Sequence, residues 1–304
     1  MPKKKSQIKS PTIALIITVL TLAVLLYSAV VLHEQEQAAA PVEGVFDGIT
    51  VHILDIGNAD SILIQCGGQN MLIDAGEREA GDRVVGYLRS LGVKKLDTVI
   101  VSHPDSDHIG GMPTVVGAFP PDRFIMAFMP EGKEPTTASY KNLLKTLGNK
   151  GVNITPAKPG LTFDIGETSG NAAAEILGPV EDSDSTNNQS VVCMVTYGSC
   201  RFLFMGDAEK QAESALLGSG ADLRADFIKL AHHGSRTSTT KDFIQAVSPT
   251  VAVISCGAGN RFNHPHEEIL TRLEFYNITY YRTDLSGTVI VSSDGEQIAV
   301  QTER

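Results

Sequence analysis

Cysteine is scarce in this chain, with four among 304 residues, at positions 66, 193, 200 and 256. No two form a Cys-x-x-Cys pair, which excludes a disulfide-built scaffold and a cysteine-ligated zinc site. Three of the four lie in apolar, strand-like runs, where a free thiol packs as a small hydrophobic side chain. Cys193 and Cys200 flank a predicted hairpin that would let them face each other. Positive charge is also short. Four of the 25 Lys and Arg and two of the 35 Asp and Glu precede residue 41, which leaves 21 against 33 and a net charge of −12 for the rest. So acidic a surface excludes global attraction of nucleic acid or anionic lipid, and a polyanionic substrate would need a metal ion and a local basic patch. Arg201, Lys229, Arg236, Lys241 and Arg261 lie near predicted strand ends and are candidates for that patch. Low-complexity tracts are absent, and 42% hydrophobic with 20% charged residues is the composition of a globular protein.

Long apolar runs are lacking too, with one exception at residues 12–32. At ~1.5 Å per residue that run matches a hydrocarbon core of ~30 Å. It exceeds the ~7–15 apolar residues of a signal peptide, which favours a retained anchor. Ala38-Ala39-Ala40 resembles a cleavage site, and cleavage near Ala40 would make the protein secreted. Lys3, Lys4, Lys5 and Lys9 precede the run and no cation follows it as far as residue 45, which places the N-terminus in the cytoplasm. The expected layout is a basic cytoplasmic tail (1–10), a single-pass transmembrane signal anchor in the cell membrane (11–32), a linker (33–47) and one extracytoplasmic domain (48–304).

The chemistry concentrates in one loop. Residues 103–108 read His-Pro-Asp-Ser-Asp-His, two imidazoles and two carboxylates in six positions, directly after an apolar run and before Gly110-Gly111. A polar surface loop has no need of that density, whereas nitrogen and oxygen donors of this kind hold divalent ions such as zinc and manganese. The glycine pair would let the backbone turn tightly and start a helix. Matching groups recur at later strand ends. Gly206-Asp207 offers a carboxylate that can bridge two cations or, alternatively, cap the following helix. In His232-His233 one ring is expected to ligate and the other to pack or hydrogen-bond behind it. His264 and His266 precede the last predicted long helix, as metal-proximal, substrate-binding or plain loop histidines.

Periodicity places these groups. Strands are predicted at 50–56, 61–66, 70–74, 97–101 and 124–128, then at 173–177, 191–196, 201–205, 226–230, 250–255, 288–291 and 297–301. Helices are predicted at 81–91, 139–147, 209–217, 241–247 and 266–276. Sheets followed by alternating strands and helices, twice over, imply two mixed sheets packed together with helices outside.

Together, Asp55 to Ser61, Asp74-Ala75-Gly76, Ser102 to Gly111, Gly206-Asp207, His232 to Ser235, Asn263 to His266 and Arg282 to Gly287 resemble the metallo-β-lactamase fold superfamily. Within it they look most like the hydrolase domain of ComEC/Rec2-type competence proteins. The resemblance implies an α/β fold (α+β in some schemes), a four-layer αββα sandwich. It implies one or two divalent ions, Zn or Mn, over His103, Asp105 and bridging Asp207 on one side, and Asp107, His108, Asp207 and His232 or His233 on the other. Two positions depart from the superfamily signature His-x-His-x-Asp-His. Asp105 stands where the second His would be, and the third-strand His is replaced by the Asn187-Asn188 region. More oxygen donors shift preference towards manganese and other hard cations.

The implied activity is that of a metal-dependent phosphodiesterase or nuclease acting outside the membrane through a metal-bound hydroxide. Asp107 and His264 would be catalytic, with Asn187, Asn188, Ser235 and His266 in substrate binding. A phosphodiester such as single-stranded DNA would be the substrate partner, and the membrane would be met through the N-terminal helix. Two alternatives stay open: a cell-surface phosphoesterase of the phosphorylcholine or teichoic-acid type, which suits the acidic surface, and a non-catalytic competence accessory module, which suits the missing His. β-Lactam hydrolysis is disfavoured by both departures.

Overall fold

The computed structural model describes residues 42–43, 47–166 and 172–304. The expected tail, anchor and most of the linker lie outside the described residues, and among the described residues no helix is long and apolar enough to cross a membrane.

Continuous runs of buried β-branched and aromatic residues form two sheets. The first has nine strands: β1 (Val42–Glu43), β2 (Ile49–Ile53), β3 (Ile62–Cys66), β4 (Gln69–Ile73), β5 (Thr98–Val101), β6 (Arg123–Met126), β7 (Ile154–Pro156), β15 (Val289–Ser293) and β16 (Ile298–Thr302), in the order β1-β16-β15-β2-β3-β4-β5-β6-β7. The second has seven: β8 (Thr162–Ile165), β9 (Ala172–Gly178), β10 (Val192–Tyr197), β11 (Cys200–Phe204), β12 (Phe227–Lys229), β13 (Val251–Ile254) and β14 (Thr279–Arg282), in the order β14-β13-β12-β11-β10-β9-β8. Each sheet joins an antiparallel part to a parallel part. Apart from the short parallel pair of β1 with β16, the parallel runs are β4-β5-β6-β7 and β11-β12-β13-β14. Ligands of α/β proteins collect beyond the carboxyl ends of parallel strands, and the loops after β5, β11 and β12 carry the His and Asp groups.

Three apolar clusters define four layers. Ile64, Met71 and Ile100 of one sheet pack against Phe202, Phe227 and Val253 of the other in the central cluster. The outer face of the first sheet buries Leu72 and Val99 under α1 (Gly81–Ser90), α3 (Met112–Ala118) and α4 (Ala138–Lys150), with the one-turn α2 (Ser106–Ile109) between. The outer face of the second buries Leu203 and Ala252 under α5 (Lys210–Gly218), α6 (Lys241–Val247) and α7 (Glu267–Phe275). The expected αββα sandwich is present. Unexpected strands are β1, which falls in the expected linker, and β7, β8 and β14, all at sheet edges; the last three are largely half-exposed and carry no continuous apolar signal. The cysteines do not face each other: Cys193 lies opposite Phe204 and Cys200 opposite Tyr197.

The expected helix starts directly after Gly111, its N-cap, but neither glycine supplies an unusual backbone angle. Gly111 has φ −79, an ordinary helical value. What it supplies is space, since a Cβ there would collide with the Ala75 carbonyl oxygen. The loop can therefore lie flat against the chain after β4.

His52, on β2 under α1, gives the first testable consequence. It is 4% exposed and 2.9 Å from the Tyr87 hydroxyl, and burial pushes its pKa from 6.5 down to about 4. The native state therefore binds fewer protons than the unfolded chain below pH 6.5, so this contribution to stability is complete above 6.5 and is lost as pH falls towards 4. Between pH 7 and pH 5 the wild type should lose ~2 kcal/mol more than His52→Gln. Urea unfolding at the two pH values checks this, and equal losses in both proteins would refute it.

Candidate metal centre

Asp74 organises the loop after β5. It follows directly on β4 with φ +58, a left-handed value that a non-glycine residue adopts only under constraint. The Ser102 N–H and hydroxyl donate to its two oxygens at 2.8 and 2.5 Å, and His108 Nδ1 donates at 2.8 Å. Because the Ser102 proton is committed to Asp74, its oxygen accepts from His103 Nδ1 at 3.0 Å. His233 Nδ1 donates to the Ser255 carbonyl at 3.0 Å. Each of the three rings is thus pinned at Nδ1 and presents Nε2 to the centre, the arrangement by which ligating imidazoles are oriented.

The other groups arrive from the second sheet. Gly206, φ +53, turns the chain so that Asp207 points inward, and a Cβ there would sit 2.8 Å from the Ser102 Cβ. His232 and His233 are consecutive left-handed residues (φ 51 and 55), which swings His233 under the site and leaves His232 at its rim. Asp207 lies within 4 Å of four rings: 3.3 Å from His108 Nε2, 3.9 Å from His103 Nε2, 3.7 Å from His232 Nε2 and 3.8 Å from His233 Nε2. Asp107 reaches His233 Nε2 at 3.5 Å.

Four of these inward atoms, His103 Nε2, His108 Nε2, His233 Nε2 and Asp207 Oδ1, are buried and have no hydrogen-bond partner among the described residues. Leaving one buried polar atom unsatisfied costs ~1–3 kcal/mol, so four convergent ones ask for a shared partner. Among the described residues three donor groups are compact enough to hold an ion, His103-His108-Asp207, Asp107-His108-His233 and Asp60-Asp74-His108. In the third, Asp74 is bonded to Ser102 and His108 and Asp60 pairs with Lys229, which leaves the first two facing the cavity. The donor set of imidazole nitrogen and carboxylate oxygen fits a divalent cation such as zinc or manganese.

The electrostatics agree. Burial opposes the charge on Asp207, but His108, His233 and His103 outweigh it and hold the carboxyl well below the usual range. Burial likewise works against Asp107, and the neighbouring His233 and His108 imidazoles outweigh it and keep the carboxyl ionised. His108 rises well above 6.5 against burial because of Asp207 and Asp74, and His233 rises because of Asp207 and Asp107. A cation would take the place of those protons. His103 falls to about 4 through burial and His108, and His264 falls to about 4 through burial and the other imidazoles.

The structure brings together His103, Asp107, His108, Asp207 and His233, with His232 beside them. The rings of His103 and His108 lie side by side, their centroids 4.1 Å apart. Asp105 is outermost, 3.9 Å from His103 Nε2 and 45% exposed. Asp207 does not cap α5, whose N-cap is Glu209. His264 and Asn187 line the ~1130 Å³ cavity that opens over the centre.

Three expected substrate contacts are engaged elsewhere. Asn188 Oδ1 accepts the Glu209 and Ala212 N–H groups at 3.2 Å each, so it caps α5. Ser235 is buried and bonds Thr237, and His266 Nδ1 accepts the Arg236 N–H; neither lines the cavity. Lys229 is fully buried and cannot contribute to a basic patch; it pairs with Asp60 at 2.8 Å. Asp60, Asp74 and Ser102 carry no role that the sequence alone assigns. The signal for Lys229 is its position as a lone cation inside the apolar run 227–231.

A two-sheet sandwich with His and Asp donors at the ends of its parallel strands defines the class. The chain belongs to the metallo-beta-lactamase superfamily, whose family model matches residues 54–258. Among curated proteins it is 31% identical to ComE operon protein 3 of Bacillus subtilis over 79% of this chain and 32% of that one. It is 32% identical to competence protein ComA of Neisseria gonorrhoeae, over 79% and 31%, and 30% identical to recombination protein 2 of Haemophilus influenzae, over 84% and 30%. The chain thus spans about a third of the length of these relatives. Solved structures of like fold include CmlA, a diiron beta-hydroxylase from Streptomyces venezuelae (11% identity, TM-score 0.51, 79% of this chain and 53% of that one). Igni18, a novel metallo hydrolase from Ignicoccus hospitalis, matches at 13% identity and TM-score 0.50 over 81% and 100%. At these identities the structural likenesses speak for the fold alone.

Proposed function

We propose that this chain is a metal-dependent phosphodiesterase that cleaves nucleic-acid strands outside the cell membrane, to which residues 11–32 would anchor it. The observation that carries the reading is the set of four partnerless buried donor atoms around Asp207 beneath an open cavity. Likeness to competence proteins supports a DNA-related role.

A bound divalent ion supplies acidification of water, from a pKa of ~15.7 to ~7, and a positive clamp on a phosphoryl oxygen. The protein supplies the rest. Asp107 is ionised at neutral pH and accepts a proton or hydrogen bond at its carboxylate. His264 is neutral there, with its pKa near 4, so it acts as a hydrogen-bond donor to developing negative charge and carries no proton to a leaving group. Asp74, Ser102 and Ser255 fix the three rings.

Cleavage of single-stranded DNA by the purified protein should require Mn²⁺, Zn²⁺ or Mg²⁺ and should fall at least ~10²-fold in Asp107→Ala. No cleavage with any of the three ions, or undiminished cleavage in the variant, would sink the reading. Less than about one divalent ion per chain would point instead to a non-catalytic competence module. The acidic lining favours one second reading, a phosphoesterase of small cell-surface substrates. Hydrolysis of chromogenic phosphodiesters with none of DNA would select it.

A further inference from the structure

Phe262 stands on the rim of the same cavity with 46% of its surface exposed. Its ring lies against His264, centroids 5.5 Å apart and planes 23° apart, and the Arg261 guanidinium sits 4.6 Å from its centroid. The loop that presents it is built. Asn260 Oδ1 accepts the N–H groups of Phe262 and His264 at 3.1 and 3.0 Å, and its Nδ2 donates to the Gly257 and His264 carbonyls at 2.9 and 2.6 Å. An apolar ring is therefore held partly in water at the cavity rim, on a loop fixed by four hydrogen bonds.

The charges around it sharpen its meaning. Among the described lining residues Arg261 is the one Lys or Arg, against the carboxylates of Glu77, Asp105, Asp107 and Asp207. A nucleic-acid strand cannot be held there by its phosphates as it would be in a basic groove. Aromatic side chains hold single strands by another route, since every base has a face on which to stack.

The geometry points to Phe262, backed by His264, as a stacking platform for an unpaired nucleobase next to the scissile phosphate, with Arg261 as the cation for a flanking phosphate. The substrate is then single-stranded, because a base inside a duplex has no free face. This rests on the phosphodiesterase reading and names its substrate. A base entering beside Phe262 also meets the flat guanidinium of Arg261, and bases stack on guanidinium planes as they do on rings. A quaternary ammonium headgroup, the other ligand that favours an aromatic face, would meet a cation already seated there.

The test uses fluorescence anisotropy of the full chain with two fluorescein-labelled probes, a twelve-residue oligothymidine and an abasic strand of the same length. Phe262→Ala should raise Kd for oligothymidine ~10-fold or more, and Phe262→Trp should restore it. Removing the bases should weaken binding to the wild type by a similar factor, and Phe262→Ala should bind the abasic strand no worse than the wild type does. Losses that multiply, or a Kd unmoved by Phe262→Ala, would overturn the platform. So would competition by phosphorylcholine that disappears in the same variant. Cleavage is read in parallel. Base-dependent, Phe262-dependent binding without cleavage in any metal would overturn the phosphodiesterase reading and leave the platform standing.

Discussion

Asp207→Ala is expected to lower metal-dependent phosphodiester cleavage by ~10³-fold or more, because the several kcal/mol of charge stabilisation that an ion supplies is lost with its shared ligand. Among the described residues no other carboxylate occupies a comparable position. Its two oxygens lie within 4 Å of His103, His108, His232 and His233, while Asp105 reaches only the His103 ring among the imidazoles. Bound metal per chain should fall as well, measured by elemental analysis after dialysis. A second readout needs no metal. Asp207 is the largest influence holding the His108 and His233 pKa values up against burial, so in metal-free Asp207→Ala both rings should titrate lower than in the wild type. Asp207→Asn keeps the volume and removes the charge, and should behave alike. Variants that keep their metal and a rate within tenfold of the wild type would remove Asp207 from the centre.

What the sequence made legible follows physical rules. Parallel strands buried on both faces read as unbroken apolar runs, so residues 97–101, 226–230 and 250–255 stood out, and with them the loops that carry donors. β7, β8 and β14 did not stand out, because edge strands are half-wet and carry no such run. The donors themselves were visible as residue types in excess of any packing need. The choice between the two neighbouring rings was not. Which ring of His232-His233 turns inward depends on two successive left-handed residues and on the Ser255 carbonyl, none of which is written locally. Asn188, Ser235 and His266 stood near the donors in sequence, yet a helix N-terminus and loop N–H groups claim their polar atoms. Asp60 and Lys229 are 169 residues apart, and only the packing of one sheet on the other brings them together.

That pair carries the largest expected effect on stability. Lys229 Nζ lies 2.8 Å from Asp60 Oδ2 and donates to the Leu230 carbonyl at 3.0 Å, with both charged side chains at most 1% exposed. Burial opposes the charge of Asp60, and Lys229 outweighs it and holds the carboxyl below its usual range. Lys229→Met should therefore destabilise the protein by ~3–5 kcal/mol at pH 7, the effect of leaving one buried charge unpaired. In the variant the Asp60 pKa should rise above its unfolded value. Its shortfall should then be smallest below pH ~4 and should grow as pH rises, because stability from a group with a raised folded pKa is lost on that side. Asp60→Leu with Lys229→Met removes both charges and should be more stable than Lys229→Met alone, since a well-packed apolar pair often replaces a buried ion pair without loss. The effect should also reach the metal centre. Asp60 lies 3.6 Å from His233 Nδ1, and its N–H donates to the Asp107 carbonyl at 3.3 Å, so the pair backs two of the donors. Urea unfolding of the two variants at pH 4 and pH 7 reads the prediction. A Lys229→Met loss under ~1 kcal/mol, or a double variant weaker than the single, would show that the charges do not support each other.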